Sequence, residues 1–300
     1  MNAVDCLELT FDDDRAHVVA ALESLADRYL DATHRAIAAP IRYSMLGEGK
    51  RLRAILTMAT YRAAGGTGDV SALAAAVEVV HAYSLVHDDL PCMDDDDMRR
   101  GRPTLHRAFG VGVATAAGLA MVPLAARAAA DAARALGLGE AVVGRIVRTL
   151  MRASGAGGMI GGQLLDLEGE GQALTLEELE RVHRLKTGAL ITASIRIGAI
   201  AAGASAPVIE AFERYGADVG LAFQIADDLL DVTATTDELG KTAGRDAALQ
   251  KSTYPALLGL DGARQRATAL SENACRSLTD AGIASPELLF LARFVVDRRS

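Results

Sequence analysis

Two carboxylate clusters dominate the chain, DDLPCMD from Asp88 to Asp94 and DDLLD from Asp227 to Asp231. Carboxylates repel one another when gathered unscreened, so a fold that collects them generally does so around divalent cations. Mg²⁺ suits such donors: it is hard, dehydrates reluctantly, and takes one or two protein carboxylates while leaving its other positions to water and substrate phosphates. A diphosphate ester is the substrate class this implies. Arg99, Arg100 and Arg102 follow the first cluster directly, and a guanidinium fork matches phosphate oxygens.

Spacing sharpens this. Gln224, Asp227, Asp228 and Asp231 fall at i, i+3, i+4 and i+7, one stripe of a helix. An isolated DDxxD also fits a solvated acidic face. Here the stripe sits inside the apolar GLAFQIADDLLDV, where uncompensated charge is costly, and metal compensation is the better account. Asp88 and Asp89 end a helix that Pro91 prevents from continuing, and Asp94 to Asp97 occupy the following turn. The spacing excludes an EF-hand, which needs alternating ligands, a central glycine and a closing glutamate.

Three further groups are candidates. GEGKRLR puts Lys50, Arg51 and Arg53 at a helix start, where backbone N–H groups favour an anion, and His81 lies two turns before Asp88 on the same face. Alone, the first is a basic surface and the second a structural histidine. In HRLKTGAL, Lys186 and Thr187 precede Gly188, which can loosen a helix and expose a hydroxyl and a carbonyl to a cation. Lys241 and Lys251 follow the second acidic cluster and can hold a departing diphosphate, although singly each would be an ordinary surface lysine.

The elements that must position these residues read as helices. Half the residues are hydrophobic, aromatics are only 4%, tryptophan is absent and prolines number seven, which favours helix over strand. Apolar periodicity predicts helices near 14–34, 50–64, 70–90, 111–136, 139–165, 176–203, 206–231, 262–281 and 286–298. No linker divides the 300 residues, so a single domain over 1–300 is expected. A net charge of −8 argues against nucleic acid, and three scattered cysteines against a disulfide framework, which suits a cytoplasmic setting. The N-terminus lacks a basic and apolar leader. The Ala/Gly-rich stretch 108–126 reads as a packed helix rather than a transmembrane one. GAGGMIGGQ does not follow the dinucleotide pattern and reads as close helix packing; no P-loop is present.

These motifs, in order, resemble the trans-isoprenyl diphosphate synthases, particularly short-chain bacterial farnesyl diphosphate synthases. GEGKRLR, HAYSLVHDDLPCMDDDDMRRGRPTLH, GMIGGQLLDLEGE, HRLKTGAL, GLAFQIADDLLD and GKTAGRDAALQKSTYPALLG carry the likeness over nearly the whole chain. It implies an all-α, single-domain isoprenoid-synthase bundle around a central cavity, expected as a homodimer. Three Mg²⁺ ions, with Mn²⁺ as a substitute, would be held by Asp88, Asp94 and Asp227, with Asp89, Asp228 and Asp231 orienting coordinated water. Arg99, Lys186 and Lys241 would clamp an allylic diphosphate, and Gly49, Lys50, Arg53, His81 and Arg100 would form the isopentenyl diphosphate pocket, with Lys251 a further substrate-binding candidate. Thr187 and Gln224 would flank the allylic cation. Tyr83, about 7.5 Å up the helix from Asp88, and Ser84 would limit chain length, the aromatic and the Pro91-Cys92 expansion resembling fifteen-carbon producers. Phe109-Gly110-Val111-Gly112 and Gly118-Leu119-Ala120-Met121 depart from the usual FGEA and AGDAL, and Glu48 interrupts the glycine run before Lys50.

The implied activity is condensation of dimethylallyl or geranyl diphosphate with isopentenyl diphosphate to farnesyl diphosphate, with geranylgeranyl diphosphate as the rival product. A class I terpene cyclase needs no second pocket at Lys50, Arg53 and His81. A noncatalytic synthase subunit would typically lack one aspartate cluster, and a structural or calcium-binding acidic protein leaves the basic motifs unexplained.

Overall fold

The computed structural model describes residues 3–233 and 251–297. Alanine, leucine and other straight-chain residues lose little side-chain freedom in a helix, and the described chain is helical almost throughout. In order it runs α1 (Ala3–Leu30), α2 (Arg35–Met45), α3 (Leu52–Ala63), α4 (Ser71–Asp88), α5 (Leu105–Phe109), α6 (Val111–Ala135), α7 (Glu140–Ser154), α8 (Met159–Glu168) and α9 (Leu176–His183). A π turn at Arg184–Gly188 leads into α10 (Ala189–Ala201), followed by α11 (Ala206–Thr233), α12 (Tyr254–Thr279) and α13 (Pro286–Asp297). The described strands are a two-residue pair, β1 (Met98–Arg99) against β2 (Arg102–Pro103).

The contacts divide the chain into two compact units, Met1–Met151 with Arg196–Ala204, and Arg152–Ile195 with Ser205–Ser300. In the first, α4 is the core. It is apolar around nearly its whole circumference and packs on α1, α2, α3 and α6, as expected of a helix with no polar face to present to water. Glu78 is the charged residue buried within it, at 2% exposure. Its carboxylate accepts the Ala54 N–H at 3.2 Å, capping α3 from a neighbouring helix, and pairs with Arg51 at 3.6 Å. In the second unit α11 is central, packing on α12, α13 and the π turn.

Several boundaries differ from the sequence expectations: α1 begins at Ala3 rather than near 14, the short α5 was not expected, and the expected 176–203 is interrupted by the π turn. Helix α2 was not anticipated, because Pro40 inside it reads as a breaker; it forms because Ala38, Pro40, Ile41 and Met45 bury one face, and His34 caps its start. The expected helix 139–165 is two helices, parted by a turn at 155–158 in which Gly158 leaves helical geometry at φ −139°, ψ −127°. The expected 262–281 begins at Tyr254, with a kink at Gly259 (φ +71°) that hides the first turn from a periodicity count. Helix α6 is long and apolar enough to cross a membrane by length and composition, and only 33% of its most apolar 18-residue window is buried within the chain.

Close approach of backbones sets one sharp constraint. A Cβ on Gly198 would overlap the Thr57 carbonyl oxygen and lie 3.1 Å from the Tyr61 nitrogen. Gly198→Ala gains about 1 kcal/mol of helix propensity but forces an overpacked contact costing about 1–3 kcal/mol. A net loss on the order of 1 kcal/mol is expected in urea denaturation; an unchanged or higher midpoint would show that the two helices separate freely.

Candidate active site

The first acidic motif is shaped by how α4 ends. Pro91 cannot continue the helix, so the chain folds back: Asp94 N–H bonds the Asp88 carbonyl at 2.8 Å and Met93 N–H bonds Leu90 at 2.8 Å. That reversal sets Asp94 beside Asp88, both half-buried. Asp89 faces elsewhere. Its buried carboxylate receives Arg99 through Nη2 at 2.5 Å and Nε at 2.8 Å. Burial raises the Asp89 pKa above the ordinary carboxylate value, against the pull of Arg99, with Asp96 and Asp94 adding to the rise. Burial acts to lower Arg99, but its bond to Asp89 outweighs this and holds it above the usual guanidinium value.

Arg99 is aimed by the ribbon that carries it. Arg100 and Gly101 both have positive φ, +52° and +72°, the signature of a two-residue type I′ hairpin turn. A non-glycine residue at the first position is strained, and it is secured there by a bond from Arg100 Nη1 to the Glu48 carbonyl. Gly49 lies directly under that guanidinium, where any Cβ would collide with it. A cavity of about 70 Å³ opens beside these groups, lined among others by Gly47, Glu48, Asp89, Arg99 and Arg100. His81 belongs to the same neighbourhood. Burial, followed by the charges of Arg53, Arg100, Arg99 and Arg51, drives its pKa well below the usual imidazole value. Arg51 and Arg99 face Glu78 and Asp89, so the positive character beside the neutral ring comes chiefly from Arg53 and Arg100. Lys50 is exposed and Arg53 half-buried at the start of α3.

Arg51 is a different matter. It stands next to Lys50 in a basic string, yet it turns inward: its φ is +53°, it is 7% exposed, and Nη2 donates to the Met45 and Gly47 carbonyls at 3.2 and 2.5 Å. It braces the turn that presents Gly49 and Lys50. The sequence held one signal for its partner, the lone glutamate in AAAVEVV. Tyr83 is buried at 4% exposure, its ring edge-to-face with His87 at 4.6 Å. Burial, then Asp88, raises its pKa. Ser84 donates back to the His81 carbonyl at 2.8 Å.

In the second unit the stripe on α11 is joined by the π turn. Thr187 Oγ1 donates to Gln224 Oε1 in a short bond. The π turn spans Arg184–Gly188, and single π turns inside helices are frequent at functional sites. Asp228 is buried; it accepts the Tyr254 N–H at 2.9 Å and lies 3.5 Å from His183 Nε2. Asp227 is half-buried and Asp231 buried on the same helix. Gly162 of α8 lies against the Lys186 backbone, so close that no Cβ fits. The Lys186 ammonium meets Asp166 at 2.6 Å, and Lys251 reaches the same oxygen at 2.8 Å. Asp166 had no place in the sequence-based site. Lys241 lies outside the described residues.

The donors suit Mg²⁺. Asp88, Asp94 and Asp227 offer hard oxygens, and among the described residues no three His, Cys, Asp or Glu side chains converge as an all-protein metal cage.

Comparison with known proteins agrees with this chemistry. The polyprenyl synthetase family model matches residues 34–284. The farnesyl diphosphate synthase of Escherichia coli is 46% identical over 263 residues, covering 86% of this chain and 88% of that protein. The chloroplastic geranylfarnesyl diphosphate synthase of Leucosceptrum canum is 44% identical over 86% of this chain and 72% of its own. Among solved structures, a geranyltransferase from Helicobacter pylori complexed with magnesium and isoprenyl diphosphate superposes with a TM-score of 0.75 at 30% identity, covering 95% of this chain and 96% of that one. With its acidic and basic motifs set in an all-helical fold, the chain belongs to the polyprenyl synthetase family.

Proposed function

We propose that this enzyme is a trans-prenyltransferase that joins an allylic diphosphate, dimethylallyl or geranyl, to isopentenyl diphosphate and forms farnesyl diphosphate. The reading rests on the cationic cluster about His81, in which Arg53 and Arg100 act on the ring and Arg100 lies against Gly49. Chain elongation needs a place for a second diphosphate, and cyclisation does not. Family membership and the 46% identical farnesyl diphosphate synthase support the same activity.

In the proposed mechanism Arg99, Lys186 and Lys241 grip the allylic diphosphate, and Asp88, Asp94 and Asp227 would hold three Mg²⁺ ions, or Mn²⁺ in their place. Bound Mg²⁺ supplies neutralisation of the charge that builds on the leaving diphosphate. The allylic C–O bond breaks with its electron pair leaving on diphosphate. Thr187 and Gln224 turn oxygen dipoles toward the resulting cation. Gly49, Lys50, Arg53, His81 and Arg100 fix isopentenyl diphosphate so that its double bond attacks the cation and forms the new C–C bond. A proton is then lost to the released diphosphate, held with the help of Lys251. Asp89, Asp228 and Asp231 keep the arrangement in register, a role supported by the ties of Asp89 to Arg99 and of Asp228 to Tyr254.

Tyr83 is proposed as the floor for the growing tail, supported by its burial on α4 and its contact with His87; Ser84 beside it is the second chain-length position. The relatives include fifteen- and twenty-five-carbon synthases at almost equal identity, so overall likeness does not set product length, and a local block must. We also propose a homodimer formed through α6, whose outer stripe of Gly112, Ala116, Leu119 and Pro123 is exposed, Leu119 at 69%. A family match spanning both units supports one functional domain over residues 1–300. Free Cys92 and Cys275 fit a reducing cytoplasm.

Three measurements test this. Purified protein given isopentenyl diphosphate with dimethylallyl, geranyl or farnesyl diphosphate should yield elongated product with Mg²⁺ and none with chelator; no product from any starter would remove the assignment. Tyr83→Ala should shift the product toward twenty carbons or more, and an unchanged chain-length profile would dismiss Tyr83 as the block. Leu119→Asp should move the sedimentation coefficient from dimer to monomer; a persisting dimer would take α6 out of the interface.

A further inference from the structure

Asp166 organises two cations, and no acidic cluster marks it. A single oxygen, Oδ2, accepts from Lys186 at 2.6 Å and Lys251 at 2.8 Å, which caps the distance between the two ammonium nitrogens at 5.4 Å. Neighbouring oxygens of one diphosphate can bridge such a span. The three side chains are 17%, 23% and 13% exposed, so repulsion between the ammonium groups is poorly screened and needs a counter-charge to hold them together. Asp166 is suited to be that charge: although burial opposes it, the two lysines hold its pKa down at about 2.

The surroundings are built for the contact. Gly162 and Asp166 are four residues apart on one face of α8: the glycine lets the helix touch the Lys186 backbone, and the aspartate takes the Lys186 side chain. On the other side Ser252 Oγ accepts the Leu174 N–H at 3.0 Å and donates to the Gln172 carbonyl at 3.1 Å, anchoring the segment that bears Lys251. Lys251 also meets Glu170 at 3.5 Å. An ammonium has three N–H donors, so Lys186 can keep its bond to Asp166 and still turn a donor to a ligand.

We propose that Asp166 is a positioning residue that holds Lys186 and Lys251 as a pre-aligned pair for one diphosphate group. This rests on the prenyl-transfer reading, which assigns both lysines to diphosphate. Asp166→Asn keeps the size and removes the charge. Steady-state kinetics should show KM for the allylic diphosphate raised about tenfold or more, with KM for isopentenyl diphosphate moved by less than about twofold. Inhibition by inorganic diphosphate should weaken in parallel, Tm should hold, and Asp166→Glu should recover part of the loss. An unchanged allylic KM would overturn the proposal, as would equal changes in both KM values with a fall in Tm in both variants. A wild-type protein that elongates no starter removes the prenyl-transfer reading and this role with it; an active wild type indifferent to Asp166→Asn removes this role alone.

Discussion

Charge held close to like charge is the constraint on which the structure turns. Buried carboxylates are given specific partners: Asp14 takes Arg62, Asp89 takes Arg99, and Glu78 takes Arg51 and the Ala54 N–H. Breaking such a pair from one side leaves an uncompensated charge, which costs about 3–5 kcal/mol in a protein interior. These pairs therefore fix geometry even where their net contribution to stability is small. The turn bearing Gly49 and Lys50 keeps its shape because Arg51 pins it from beneath, and the arginine ribbon keeps its aim because Asp89 holds Arg99.

The two aspartate motifs solve this problem in the same way, each within its own unit. In both, the second aspartate is built into the protein, Asp89 through Arg99 and Asp228 through the Tyr254 N–H. The first aspartate, Asp88 or Asp227, stays half-buried at the helix surface. On the proposed assignment the doublet divides the labour: one member is tied into the protein, and its half-buried neighbour is the metal ligand.

Much of this was legible in the chain because it is local. The i, i+3, i+4, i+7 stripe on α11, the stop that Pro91 imposes on α4, and the loosening at Gly188 that emerges as a π turn follow from spacing and from the chemistry of single residues. What spacing could not show is long-range pairing. Arg51 looks like Lys50 and Arg53 in sequence; only the approach of Glu78, across 27 residues, separates a brace from a ligand. Asp166 and Lys251 lie 85 residues apart, and no periodicity connects them. Helix α2 was hidden by Pro40 because propensity argues against proline, whereas the buried face that overrides propensity is a tertiary fact.

The choice of cation in each place carries a further argument. On the proposed assignment Arg53, Arg100, Lys50 and a neutral imidazole make the isopentenyl diphosphate pocket, and Arg100 is tethered to a backbone carbonyl. A planar guanidinium so fixed presents its donors in one geometry, which suits a diphosphate that stays on its substrate throughout, the part proposed for isopentenyl diphosphate. Lysines make the pair in the second unit. An ammonium is a compact charge with three equivalent donors on a flexible stem, so it can follow oxygens whose charge grows as the allylic C–O bond opens. On the proposed assignment the ester that breaks meets both kinds, Arg99 fixed by Asp89 and the flexible Lys186 and Lys241. Asp166 then supplies what the flexible Lys186 and Lys251 lack, a fixed point from which both can turn.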